Sequence, residues 1–128
     1  MRSDLMNLII IILSALIGIE HIGIMGIEMF ASDSVKANAF DMPIDYVKLP
    51  NTKVALGNQG IYNGMLGILI IATLFIFPIG TMLTFLSLLM VFIAVVALYG
   101  AMTATKKILF IQFLPAVINL ALIILTFK

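Results

Sequence analysis

Four stretches of this chain, about 5–30, 52–77, 81–102 and 108–127, each offer the run of about 20 apolar residues that a bilayer-crossing helix needs. A backbone with no water to bond to must satisfy itself, which leaves helices or closed barrels, and barrels show short alternating segments instead. Only 10% of the 128 residues are charged and 63% are hydrophobic, too few charges to coat a water-soluble surface. The expectation is an all-α integral membrane protein of one domain, residues 1–128, built as an antiparallel four-helix bundle. Short connections at "PIGT" (78–81) and "TATKK" (103–107) force antiparallel neighbours.

The first run could be mistaken for a secretion signal, with Arg2 ahead of an apolar core. It continues to about residue 30, too long for a signal core, and no small-x-small cleavage site follows, so it reads as a retained helix. The long connection, "ASDSVKANAFDMPIDYVKLPNTKVALG", interleaves Phe40, Met42, Ile44, Tyr46, Val47 and Leu49 with Asp and Lys. Such a segment suits the headgroup layer better than free water. Asp33 or Ser34 is the expected cap of a short helix there, and Asn51 or Thr52 that of the second span. Lys36, Lys48, Lys53, Lys106 and Lys107 lie on the loop side, against Arg2 and Lys128 on the other. The positive-inside bias therefore places the loops in the cytoplasm and both termini outside.

Several compositional facts exclude functions. Net charge is +1, with no basic field for nucleic acid, so no nucleic-acid partner is expected. There is no Cys, hence no disulfide, thiolate nucleophile or Cys metal site. No metal-ligand spacing occurs, and neither a metal nor a cofactor is expected.

Polar groups within the spans crowd toward the loop side. The first span carries Glu20, His21 and Glu28, the second Asn58, Gln59, Tyr62 and Asn63, the third Tyr99, and the fourth Gln112 and Asn119 around Pro115. At about 100° per residue His21 and Glu28 share a face, within about 20°, and Glu20 lies about 80–100° around. Gln112 and Asn119, seven apart, also share a face. In the second span Asn58, Gln59, Tyr62 and Asn63 make one face, and Gly57, Gly60, Gly64 and Gly67 the opposite one. The glycine face, with GxxxG at Gly60 and Gly64, suits close backbone packing. The polar faces are expected to meet in one pocket open to the loop side. Glu20, His21 and Glu28 are its candidate acid–base groups. Asn58, Gln59, Tyr62, Asn63, Tyr99, Gln112 and Asn119 are its candidate ligand-binding groups. The plain alternatives are interhelical glue for the amides, an interfacial position for Glu28, and a neutral bonded Glu20–His21 pair that fixes the bundle.

At "NQGIYNG" (58–64), with "EH" (20–21) and "EMF" (28–30), the sequence resembles a family of small bacterial four-helix membrane proteins known only as a domain of unknown function. The resemblance covers essentially the whole chain. It implies the four spans, a bacterial cytoplasmic-membrane location, and attention to Glu20, His21, Glu28, Asn58, Gln59, Gly60, Tyr62, Asn63 and Gly64, but no reaction. Three functions compete. The favoured one is a pocket for a small lipophilic ligand. The others are an enzyme using Glu and His acid–base chemistry on a lipophilic substrate, and a structural or accessory subunit. The lipid bilayer is the expected partner, and a homo-oligomer is compatible with four short helices.

Overall fold

A computed structural model describes residues 1–128 and contains helices and no strand. Four helices are long and apolar enough to cross a membrane: α1 (Arg2–Phe30), α4 (Pro50–Ile76), α5 (Ile79–Thr103) and a fourth over Leu109–Thr126. The fourth opens with a π-helical stretch, Leu109–Phe113, and continues as α6 (Leu114–Thr126). Two short helices, α2 (Asp33–Phe40) and α3 (Ile44–Val47), fill the long connection.

The ends differ from expectation in ways backbone chemistry explains. α4 starts at Pro50, with Leu49 as its uncapped N-cap. Pro lacks the N–H that a first turn leaves orphaned, and its fixed φ is already helical. Asn51 and Thr52 therefore fall inside the helix rather than capping it. α2 is capped by Ser32, whose Oγ accepts from the Val35 N–H at 3.3 Å, instead of by Asp33 or Ser34.

Glycine sets the tightest helix pair. A Cβ on Gly67 would strike the carbonyl oxygen of Gly18, one on Gly18 would lie 2.8 Å from Ile71 Cγ1, and one on Gly60 would lie 2.6 Å from Met29 Cγ. Gly64 sits directly beneath Met25 Sδ. Residue numbers rise along α1 as they fall along α4, so the two run antiparallel with their backbones nearly touching. α6 packs on α1 and on α5, and α4 touches α5 only sparsely. A two-residue link, Phe77–Pro78, joins α4 and α5 at the end remote from α2. The two helices converge there, and a gap remains between them toward the α2 end.

The apolar core gathers Ile10, Ile17, Ile70, Leu86, Met90 and Ile123 on the remote side of that gap. Within it lies one polar pair, Asn119 Nδ2 donating to Ser14 Oγ at 2.8 Å, both residues wholly buried.

Candidate functional site

The gap is a cavity of about 840 Å³. α1 supplies His21, Ile24, Ile27 and Glu28, α4 Gln59, Tyr62, Asn63, Leu66 and Leu69, and α5 Phe92, Ile93, Val96 and Tyr99, with Gln112 added from the π-helical stretch. Most of the lining is apolar. Polar groups are a minority in it, the usual composition of a small-molecule site.

Glu28 is the best-held of them. Gln59 Nε2 donates to its Oε1 at 2.8 Å and Asn63 Nδ2 to its Oε2 at 2.9 Å. The residue is 1% exposed. The antiparallel α1–α4 contact explains the triad. Gly60 lets α4 close on α1 beside Glu28, and Gln59 and Asn63, one turn apart, then straddle the carboxyl group. The glycine and polar faces are thus not two independent surfaces. The amides reach around the glycine contact to the same neighbour.

His21, 2% exposed, donates from Nδ1 to the Ile17 carbonyl at 2.8 Å. A carbonyl can only accept, so that proton is on Nδ1 and, in the neutral ring, Nε2 is an acceptor. Nε2 has no protein partner and is the nitrogen available to a molecule in the cavity. Tyr62, Asn63, Tyr99, Gln59 and Gln112 line the same space.

Three sequence-predicted residues are elsewhere. Asn58 is exposed and outside the cavity lining. Glu20 is half-buried, outside the lining, and bonds neither His21 nor any other group through its buried Oε1. Adjacent helical residues point about 100° apart, so Glu20 and His21 diverge instead of pairing. Asn119 is with Ser14 in the core. It lies seven residues, about 10 Å, farther along the helix than Gln112. Gln112 is in the π-helical stretch ahead of Pro115, where a widened turn accommodates the missing N–H and the ring's clash with the carbonyl four residues back.

The expected loop-side opening is covered. Ala39 and Phe40 of α2 form part of the cavity wall. Asp41, left-handed at φ 51°, ends α2. Its carboxylate accepts from Thr105 Oγ1 and pairs with Lys107 Nζ at 2.9 Å, and the same Nζ donates to the Asn38 carbonyl at 2.7 Å. These bonds hold the Asp41 carboxyl below its usual pKa, Thr105 contributing most and Lys107 next. Val47 of α3 is fully buried, and Lys53 pairs with Asp33 at 3.4 Å. The accessible rim is instead lateral, on α4 and α5, where Tyr62 is 80% and Tyr99 70% exposed and Met65, Phe92 and Val96 are exposed too. Sequence reasoning missed Ala39, Phe40, Thr105 and Lys107. Only their place in the folded chain brings them to the cavity.

Residues 15–124 match the family model described as "Protein of unknown function (DUF1304)". The chain belongs to this family. It is also 36% identical, over 108 residues, to the "Uncharacterized protein YpaA" of Lactococcus lactis subsp. lactis (strain IL1403), covering 84% of this chain and 89% of that protein. No solved structure matches.

Proposed function

We propose that this protein is a multi-pass membrane protein whose four long helices form an antiparallel bundle, and that its lateral cavity binds a small lipophilic molecule with one polar end. The observation that carries this reading is the fully buried Glu28, clamped by Gln59 and Asn63, in the same apolar cavity as the unpartnered His21 Nε2. Burying such groups is costly unless they are hydrogen-bonded or paired, His21 Nε2 has no partner, and ionisable groups within a span point to function. The apolar body of a ligand would lie along Leu66, Leu69, Phe92 and Ile93, and its head would reach the polar groups from the α4–α5 rim. The same reading places residues 31–49 on the membrane face and, from the Lys count, in the cytoplasm of a bacterial inner membrane. It also makes the "NQGIYNG" segment the family's way of building the clamp.

A long-chain alcohol bearing a diazirine tests it. In nanodiscs the probe should label peptides carrying Tyr62, Phe92 or Tyr99, and excess unlabelled alcohol should remove the labelling. Leu69→Trp, which fills the cavity from an exposed rim position, should abolish it. Labelling spread evenly around all four helices, unaffected by competitor, would end the proposal.

A further inference from the structure

Resting on the binding reading just given, the charges and hydrogen-bonding groups around the cavity point, we infer, to one ligand class: a lipophilic amine in its cationic form. The polar groups divide unevenly. Lys107 is the one cationic residue in the lining, and its Nζ is committed to the Asp41 carboxylate at 2.9 Å and the Asn38 carbonyl at 2.7 Å. Glu28 has no cationic partner at all. It is held only by the two amides, one bond to each oxygen. A carboxylate offers about four acceptor directions, so two remain free. His21 Nδ1 is spent on Ile17, which leaves Nε2 as an acceptor. Tyr62, Tyr99 and Gln112 add hydrogen-bonding side chains that are all neutral, so charge separates the possible heads: the cavity holds one unbalanced acidic group beside the free His21 acceptor, and its one cation is neutralised.

Its wall fits the same class. Phe40, Tyr62, Phe92 and Tyr99 line it, and aromatic faces attract cations. An ammonium head can donate to Glu28 and stack near these rings while its chain occupies the apolar remainder. A carboxylate or phosphate head would meet Glu28 without a free cation to offset it, and a ketone or ester head, though Tyr62, Tyr99 or Gln112 could donate to it, would leave the Glu28 charge unbalanced.

Decylamine, decanol and decanoate differ only in their heads, and decylamine is cationic at pH 7. Their affinities for the full-length protein in zwitterionic nanodiscs, with empty nanodiscs subtracted, give the answer directly. Decylamine should bind about tenfold or more tighter than decanol, the gain of one hydrogen bond to a charged group, and decanoate should bind weakest. Glu28→Gln should shrink the amine–alcohol ratio to about threefold or less. Glu20→Gln, outside the lining, should leave the ratio unchanged. Decanol binding as tightly as decylamine in the wild-type protein would overturn the cation assignment and keep the binding proposal. So would an amine–alcohol ratio unmoved by Glu28→Gln, a comparison within the one variant that holds even if its overall affinity changes. If none of the three binds above the empty-nanodisc level, both proposals fail.

Discussion

His21 and Glu28 lie seven residues apart on one face of α1, yet they answer to different neighbours. His21 bonds only to a carbonyl of its own helix. Removing its side chain orphans no buried group, so His21→Ala should fold and extract like the wild type while losing the cavity's acceptor. Glu28→Ala, by contrast, strips the partner from the part-buried Asn63 and should lower stability by about 1–3 kcal/mol. Thermal unfolding in mild detergent distinguishes the two. Equal losses would mean that His21 is structural glue after all. The glycines give a steeper contrast. Gly67→Ala puts a Cβ against the Gly18 carbonyl, which is backbone and cannot swing away, whereas a Cβ at Gly57 meets nothing within 4 Å. Overpacking costs about 1–3 kcal/mol, so Gly67→Ala should lower the melting temperature by several degrees and Gly57→Ala should not lower it. That His21 and Glu28 share a face is legible from spacing alone. That Glu28 belongs with Gln59 and Asn63 becomes legible only once the glycines fix the α1–α4 register. Glu20, about 80–100° around α1 from the face of His21 and Glu28, lies outside the cavity lining.

Among the elements, α2 is the one whose position depends most on a few bonds. Asp41, Thr105 and Lys107 tie its C-terminal end to the α5–α6 connection, across one wall of the cavity. Because folding lowers the Asp41 pKa, its contribution is present above the ordinary Asp range and is lost as pH falls through the lowered folded value. Asp41→Asn removes the charge at every pH. Amide exchange across residues 33–42 should therefore quicken in Asp41→Asn at neutral pH, and in the wild type only under strongly acidic conditions, while α1 and α4 stay protected. Exchange in α2 that ignores both changes would show that Val47 and the apolar contacts hold it alone. The composition of residues 31–49 announced a packed segment, but which face it covers was not readable. Its anchors are 64 and 66 residues away, in a connection that read as a plain turn.

For the molecule as a whole, four long apolar helices and their order follow from hydropathy, and the lateral cavity does not. It exists because α4 and α5 meet at a two-residue link and diverge toward α2, a geometry set by packing on α1 and α6. Five loop-side Lys residues against Arg2 and Lys128 predict an external C-terminus. A Cys added after Lys128 should react with an impermeant maleimide in intact cells, and protection until lysis would reverse the orientation. The cavity itself is most directly tested by an experimental structure in lipid, at a resolution that shows ordered ligand atoms. Such a structure should show an elongated molecule between α4 and α5, its polar end within hydrogen-bonding distance of Glu28 or His21 Nε2. A closed α4–α5 seam, with His21 Nε2 bonded to a protein group and no space beside Glu28, would contradict it.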